Sequence, residues 1–510
     1  VEKTGSVGMV NKSNDAEELH PQQTVQEQRR LSTTVSLKEV AEAEMRFEAS
    51  AHNIEARRAL AELRQSGLEL RPLFGADKAL GTEAHNAFRF VRRFVGPEQG
   101  VPFITSAEIN SFRPRVDYIS KLTKNLTHLF MKQWDVLISC SGTIGNVGFV
   151  GSNLAGTALS QDAIRVRFDD PNVAGFVAAY LRTESGRLLL RMGSYGSVIT
   201  HIEPEHLARV PVPWLHPIQV SDIGRKFVEA AELRDEANEL LDQAETLLLS
   251  RLGLPSLKEL IQRVSSTSTK TIKASILVER FEASYHDPLA YAIEGALEDN
   301  SHEIVRLDDP RLVKEVRPIT KFRKRTYVEK GGIPLLSSKQ LFQIDPIDIK
   351  RLAKGAHTKD LDEIALEPNM LFVTRSGTIG RVGIVPAYMK GWAGSEHATR
   401  IIASKDQEAG FLYTWLASEF GNRLIRRHSY GSVILEIDKE MLSSVSVPLL
   451  PEEQRHEIGN LVLRANKLRD EAWKLEKDAI TRIEQIVKPK KKEVGDTHDG
   501  GVVSGETTRS

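Results

Sequence analysis

The sequence predicts a mixed α+β protein, α/β in the broad sense, built twice. Two duplicated globular domains are separated by two long helices that pair antiparallel as a coiled coil. Three observations predict it. Five segments recur at a nearly constant interval; each copy opens with strand signals broken by Gly-rich turns; each copy closes on a heptad of apolar residues.

The recurrence carries the most weight. Arg46-Phe47-Glu48-Ala49-Ser50 returns as Arg280-Phe281-Glu282-Ala283-Ser284, and Gly100-Val101-Pro102-Phe103-Ile104 as Gly332-Ile333-Pro334-Leu335-Leu336. Ser141-Gly142-Thr143-Ile144-Gly145 returns as Ser376-Gly377-Thr378-Ile379-Gly380. Ser194-Tyr195-Gly196-Ser197-Val198-Ile199 returns as Ser429-Tyr430-Gly431-Ser432-Val433-Ile434, and Leu233-Arg234-Asp235-Glu236-Ala237 as Leu468-Arg469-Asp470-Glu471-Ala472. The offsets are 234, 232, 235, 235 and 235. Chance similarity between glycine loops does not hold five matches in register. The period far exceeds the roughly 20–50 residues of solenoid repeats, so each copy can bury its own core.

The predicted boundaries follow: a polar mobile arm (1–39), a first mixed domain (40–215), a central heptad helix (216–252), a linker (253–273), a second mixed domain (274–450), a C-terminal heptad helix (451–487) and a disordered tail (488–510). Within each domain, Val136-Leu137-Ile138-Ser139 and Leu371-Phe372-Val373-Thr374 read as strands. The Gly-Thr-Ile-Gly break and the resuming apolar run read as a tight turn and a second strand. Ala163-Ile164-Arg165-Val166-Arg167-Phe168 alternates with period two, as a half-buried strand does. A helical stretch is predicted from Val173 to Met192, matched by Gly410 to Arg427.

In the first long helix Ile223, Ala230, Ala237 and Ala244 repeat every seven residues, with Leu233, Leu240 and Leu247 at the d positions. In the second, Ile458, Ala465, Ala472, Ala479 and Ile486 repeat, with Leu461, Leu468 and Leu475 at d. Heptads of this length predict a coiled coil; a single-face amphipathic helix lying on its own domain is the other reading. Each helix runs for about 35 residues, or about 50 Å at 1.5 Å per residue. An antiparallel pair is expected to hold the mixed domains at opposite ends of a rigid spacer.

Composition bounds the function. The chain has 510 residues, 69 basic and 69 acidic, so net charge gives no general attraction to nucleic acid. No apolar stretch approaches a membrane span, and the first residues contain no secretory h-region. The single cysteine, Cys140, excludes an intramolecular disulfide and fits a reducing, cytoplasmic setting. No phosphate-binding Gly-rich loop, Walker lysine, His-Glu-x-x-His, Gly-x-Ser-x-Gly or Asn-Pro-Pro-aromatic tetrapeptide is present. The metal-like run around His201 has Glu436 and Met441 at its matching positions, so it reads as a loop.

Binding surfaces are the alternative to catalysis. Phe88-Arg89-Phe90-Val91-Arg92-Arg93-Phe94 and Lys321-Phe322-Arg323-Lys324-Arg325 occupy similar places. At offset 232, Arg89 faces Lys321, Arg92 faces Lys324 and Arg93 faces Arg325. Such cations contact phosphates, while their neighbours read base edges; a solvated strand face is the other reading. The paired turns offer Ser141, Thr143, Ser376 and Thr378 hydroxyls and free N–H groups to a phosphate, or their glycines serve only to reach φ > 0. Tyr195, Ser197, Tyr430 and Ser432 lie on the loop that follows the predicted helix. Cys140 against Arg375, and Asn146 against Arg381, are the positions where the twin turns differ and so where two such surfaces would recognise different ligands.

Taken in order, Gly331-Gly332-Ile333-Pro334, Leu371 through Gly380, Ser429-Tyr430-Gly431-Ser432, a Pro-ended strand and a heptad helix resemble the specificity subunits of type I restriction–modification systems. The resemblance covers about 40–487. It implies two target recognition domains, each reading one half of an asymmetric bipartite site on double-stranded DNA. It implies a coiled coil that sets the gap, about 15 base pairs for about 50 Å. The helices, with their d-position leucines, would dock two methyltransferase (modification) subunits and through them the restriction, translocating subunits. The chain itself would carry no catalytic residue and no cofactor, with S-adenosylmethionine, ATP and Mg on the partners. A methylation-only or related defence complex is an alternative setting, which neighbouring genes separate. A coiled-coil scaffold that binds protein is another, separated by the absence of selective, salt-sensitive DNA binding. An enzyme with an unrecognised site would show activity as a purified single chain.

Overall fold

A computed structural model describes residues 34–42, 52–192, 194, 200–264, 271–272, 274, 280–318, 325–357, 361–432 and 434–488. The first Arg-Phe-Glu-Ala-Ser copy, residues 1–33 of the N-terminal arm and nearly all of the tail lie outside them; the last residues of the expected arm enter a short helix, Leu37–Glu42. In the first half, α1 (Ile54–Gln65) leads to β1 (Glu69–Pro72), β2 (Glu83–His85), β3 (Gly100–Ile104), β4 (Asp117–Ser120), β5 (Val136–Ser139), β6 (Val147–Phe149), β7 (Ala158–Leu159) and β8 (Ala163–Arg167). Then come α2 (Pro171–Leu181), α3 (Glu184–Met192), β9 (Pro211–Trp214) and the long α4 (Pro217–Leu252). The second half repeats this with α5 (Pro288–Asp299), β10 (Glu303–Arg306), β11 (Val313–Pro318), β12 (Ile333–Leu336), β13 (Lys350–Leu352), β14 (Leu371–Thr374), β15 (Val382–Ile384), β16 (Ala393–Gly394) and β17 (Ala398–Ala403). It ends with α6 (Asp406–Ala417), α7 (Glu419–Arg427), β18 (Ser446–Leu449) and the long α8 (Glu452–Val487).

The duplication holds strand by strand. Sheets of order β2-β8-β5-β6, β4-β3-β7 and β1-β9 recur as β11-β17-β14-β15, β13-β12-β16 and β10-β18. Among the described residues only β3–β7 and β12–β16 pair parallel. Val136 faces Phe149 as Leu371 faces Ile384. Local signals set the element ends. Asp170 caps α2 through its side chain and Pro171 opens the helix; Gly253, at φ +60°, ends α4 in the left-handed region.

Each domain buries its α2 or α6 helix against the start of its own long helix. The approach is close enough to require glycine on both sides. A Cβ on Gly224 would lie 1.8 Å from the Asn172 carbonyl oxygen, and one on Gly459 would lie 2.0 Å from that of Gln407. The facing Gly175 and Gly410 are confined too: a Cβ there would lie 2.4 Å from the Gly224 and Gly459 carbonyl oxygens. The first-domain core also takes Ala479, Ile480 and Ile483 from the end of α8, and the second-domain core takes Leu240, Leu241, Ala244 and Leu248 from the end of α4. The two helices are therefore antiparallel. Ion pairs along the seam agree: Asp222–Arg482 (2.8 Å), Lys226–Asp478 (2.9 Å), Arg234–Glu476 (2.6 Å), Glu236–Arg464 (2.6 Å) and Arg251–Glu457 (3.2 Å) descend one helix as they ascend the other.

Several expectations need correction. The predicted single helix Val173–Met192 is two helices, because the Thr183 hydroxyl takes the Gly186 N–H and starts a new one; Ser418 does the same for Gly421. Strand β8 is buried on both faces rather than half-buried, since helices cover one face and the β4-β3-β7 sheet lies on the other side. Its fully buried Arg165 donates to the Leu129 and Leu159 carbonyls at 2.9 Å each, and burial lowers its pKa to about 10. The linker contains a helix, Leu257–Val264.

The heptad needs revision too. The a-position alanines are buried, but Leu233, Leu247, Leu461, Leu468 and Leu475 are only half-buried and Leu240 is enclosed. Leu240 belongs to the second-domain core, against which Leu247, Leu461 and Leu468 also pack, so these leucines take part in the fold itself. The middle of the helix pair is polar. Glu476 meets the two terminal guanidinium nitrogens of Arg234 at 2.6 Å and Arg182 at 2.9 Å, all three side chains with little solvent access. Burial alone would raise the Glu476 carboxyl; Arg182 and Arg234 overcome it and hold it below the usual carboxylate value.

The helices are also not a bare spacer. The domains lie toward opposite ends, yet they touch across a pseudo-two-fold axis. Ser111 and Gln343, counterparts at offset 232, form an antiparallel bridge. Phe112 N–H donates to the Phe342 carbonyl (2.9 Å) and Ile344 N–H to the Asn110 carbonyl (2.8 Å), and these two bonds exchange under the same offset. Arg187–Asp345, Arg191–Asp348 (3.0 Å) and Arg381–Glu108 (3.1 Å) surround the bridge.

Candidate nucleic-acid interface

The described residues of each domain contribute to the same three-part face. The first part is the repeated turn. The Ser139 hydroxyl donates to the Thr143 carbonyl (2.6 Å) and accepts from Asn146 N–H (3.0 Å). Thr374 does the same with the Thr378 carbonyl and with Arg381 N–H (2.9 Å). Gly142, Gly145, Gly377 and Gly380 sit at φ +72°, +96°, +75° and +81°, a region that only glycine enters at little cost. Thr143 and Thr378 stand exposed at the tips, and Ser141 and Ser376 are half-buried behind them.

The second part is the loop after α3 or α7. Gly142 N–H donates to the Thr200 carbonyl (3.1 Å), and Gly377 N–H to that of Leu435 (3.3 Å). Ser141 bridges His201 as Ser376 bridges Glu436. Turn and loop, 50 or more residues apart in sequence, are thus one surface. In the second domain Tyr430 and Glu436 exchange backbone hydrogen bonds at 2.9 and 2.8 Å and close the loop; Tyr430 is half-buried and Ser432 exposed. Arg280 donates to the Ser429 carbonyl (3.2 Å), which gives the repeated Arg-Phe-Glu-Ala-Ser segment a role: it ties down the C-terminal end of α7. Tyr195 and Ser197 lie outside the described residues.

The third part is the basic segment. Phe94 bridges Ile119 as Tyr327 bridges Leu352, and Ser120 N–H meets the Arg93 carbonyl as Ala353 N–H meets that of Thr326. The offset here is therefore 233, not 232. Arg92 corresponds to Arg325, and Arg93 to Thr326. The reason is local: four residues separate Val95 from Gly100, three separate Val328 from Gly332. None of the three expected cation pairs survives the shift; Arg92 with Arg325 is a cation pair it creates among the described residues, and Lys321, Arg323 and Lys324 lie outside them. Arg92 bonds Gln161 (2.8 Å) and Asp162 (3.4 Å), and Arg325 bonds Glu396. Cys140 N–H donates to the Asp162 carbonyl (3.0 Å) and Arg375 N–H to that of His397 (2.9 Å), so this loop links the basic segment to the turn. Sequence reading missed the loop, although Ser160-x-x-Ala163-x-Arg165 recurs as Ser395-x-x-Ala398-x-Arg400.

Exposed on the face are Arg89, Arg93, Thr143, Thr378 and Ser432; half-buried are Arg92, Ser141, Arg325, Arg375, Ser376 and Tyr430. Arg375 leans toward Glu436 at 3.7 Å. Three positions expected to read DNA point elsewhere. Asn146 is 5% exposed, and Cys140 is buried, its thiol pushed up to about 12 by burial. Arg381 is held by Glu108 of the other domain and lies 4.1 Å over the Phe342 ring. These differences between the twin turns serve packing.

Beneath the second-domain loop, His428 is buried against Tyr285 and Ser444. Burial, then the charges of Arg427, Arg280 and Arg306, push its pKa down to about 3. The ring is neutral in the folded chain and protonates near pH 6.5 when unfolded. Its contribution is present above pH 6.5 and declines as pH falls toward the folded value. Stability should drop by about 1.4 kcal/mol per pH unit in that window. Urea unfolding from pH 7 to 4 should show this slope in the wild-type chain and a shallower one in His428→Gln.

Among the described residues no group of three or more His, Cys, Asp or Glu is placed to hold a metal ion, and no helix is long and apolar enough to cross a membrane. The class this defines is a two-headed architecture: twin mixed domains with equivalent loop faces on one antiparallel helix pair. No family model and no curated protein matches the chain. It is similar to solved specificity subunits of type I restriction–modification systems. The S subunit from M. genitalium is 13% identical, covering 82% of this chain and 98% of that one, with a TM-score of 0.28. The HsdS subunit from Thermoanaerobacter tengcongensis is 12% identical, covering 81% and 98%, with a TM-score of 0.24. A chain from a study of complex assembly and conformational transition of the type I R-M system is 13% identical, covering 80% and 96%, with a TM-score of 0.25.

Proposed function

We propose that this chain is the non-catalytic DNA-specificity subunit of a type I restriction–modification complex. Each mixed domain reads one half of a bipartite site on double-stranded DNA. The observation that carries the reading is the duplicated face of turn, loop and basic segment, repeated about a pseudo-two-fold axis. Hydroxyls, backbone N–H groups and guanidiniums converge there, the groups that hold phosphates and read base edges. The two faces differ in their exposed residues, Arg93 against Thr326 for one, so the half-sites differ and the target is asymmetric. Spacing is set by the helix pair together with the bridge between the domains. The outer surfaces of α4 and α8 dock two methyltransferase subunits, which bring S-adenosylmethionine; ATP and Mg belong to the restriction subunits, and the assembly works in the cytoplasm.

A gel shift on randomised duplexes, with the chain bound to its methyltransferase, tests this. Selective binding that weakens with salt is expected. The double variant Arg89→Ala/Arg93→Ala should flatten the log–log salt slope by about two, at near 0.9 for each phosphate it no longer neutralises. An unchanged slope removes both residues from the interface, and an absence of selective binding removes the DNA reading.

A further inference from the structure

Beside the first-domain face lies an open cleft of about 610 Å³, lined by Phe88, Arg89, Val91, Arg93, Leu122 and Lys124 among others. Leu122 is 93% exposed, Val91 76% and Phe88 47%. An isolated exposed apolar side chain needs no explanation, but three together at one mouth do. Leu122 is also held firmly. The Ser120 hydroxyl accepts Leu122 N–H (3.2 Å), the Ser120 carbonyl accepts both Thr123 N–H (3.0 Å) and its hydroxyl (2.6 Å), and Lys121 N–H bonds the Gln99 carbonyl (3.3 Å). A rigid turn thus presents a bare leucine to solvent between Lys121 and Lys124.

Charge selects the occupant. The cleft is lined by three cations, Arg89, Arg93 and Lys124, and among the described residues by no carboxylate. Arg92, between the lining residues Val91 and Arg93, lies 5.6 Å over the Phe103 ring and bonds Gln161 and Asp162, and the Asp162 carbonyl accepts Cys140 N–H beside the turn of Ser141 and Thr143. The second domain has no leucine at this place: at offset 233 the counterpart of Leu122 is Gly355. A dock for two identical partner subunits would recur in both halves, as the helix features do. The leucine does not recur, and the ligand that differs between the halves is the DNA.

Resting on the DNA reading above, we propose that Leu122 is a wedge that the first domain inserts between two base pairs of its half-site from the minor groove. Phe88 and Val91 cover the opened step, and Arg89, Arg93 and Lys124 hold the flanking phosphates. An apolar side chain between cations is how a protein unstacks a step and kinks a duplex. Only one half-site is bent.

The test uses the full chain with its methyltransferase subunits and an end-labelled duplex that the wild type has selected from a random pool. Energy transfer between the ends reports the bend at saturating protein. The wild-type complex should be bent. Leu122→Ser should be straight and bind about 10- to 100-fold more weakly, the effect of leaving one leucine in water, with Leu122→Met restoring both. A straight wild-type complex, or a Leu122→Ser complex as bent as wild type, overturns the wedge and leaves the DNA reading standing. Loss of the methyltransferase subunits from Leu122→Ser with the bend unchanged would make the patch a protein-docking surface instead. Failure of the wild type to select any duplex overturns the DNA reading, and the wedge with it.

Discussion

Gly224→Val should destabilise the first domain by at least about 3 kcal/mol, and Gly459→Val should do the same to the second. The side chain has nowhere to go. A Cβ already lies 1.8 Å from the Asn172 carbonyl in one case and 2.0 Å from that of Gln407 in the other. The obstacle is helix backbone rather than the end of a flexible side chain, so α2 and α4, or α6 and α8, must separate. That separation exposes the apolar faces on which each domain is mounted. Gly295 in the middle of α5 is the control: nothing lies within 4 Å of an added Cβ, and Gly295→Ala should stabilise by up to about 1 kcal/mol through helix propensity. Urea midpoints of the three variants check this. Equal midpoints for Gly224→Val and the wild type would mean that the helices do not cross at that point.

The second large effect is at the centre of the helix pair. Glu476→Ala leaves Arg182 and Arg234 buried without their carboxylate, a loss of about 3–5 kcal/mol. A double-mutant cycle with Arg234→Ala should give a coupling energy of about 0.5–3 kcal/mol. Acid acts on the same pair. The Glu476 carboxyl is held below its usual 4.5, so its contribution is complete above that pH and is lost as pH falls further. Glu476→Gln should lack that part of the acid sensitivity. A cycle without coupling would show that the triad does not hold the register of the two helices. The polar centre has a further consequence. An all-apolar seam can slide by a heptad, whereas a buried carboxylate between two arginines has one register. The distance between the two faces is fixed there and at the Ser111–Gln343 bridge.

The duplication and the long helices were legible because their signals are local. The predicted 216–252 and 451–487 differ by one residue from Pro217–Leu252 and Glu452–Val487, since Pro217, Gly253 and Pro451 act on the backbone where they stand. The paired turns were legible for the same reason, their glycines at positive φ. What failed was non-local. Arg381 and Asn146 looked like readers because they differ between copies, but the difference answers to Glu108 and to a buried turn. The heptad places the d-position leucines on one seam but does not reveal that each helix also packs on a domain. The one-residue shift that pairs Arg92 with Arg325 was hidden by a shorter loop in the second copy. The bridge between the domains involves no motif. It arises where the two-fold axis passes, and only the packed chain shows where that is.

A methylome of the host, compared with and without this gene, is the measurement that bears on the whole reading. The expected result is the loss of one methylated motif, bipartite, with two different half-sites and a fixed gap. Its return with the motif altered in only one half, when exposed residues of one domain are changed, would match the division of labour between the twin faces. An unchanged methylome, or the loss of a contiguous or palindromic motif, would contradict it.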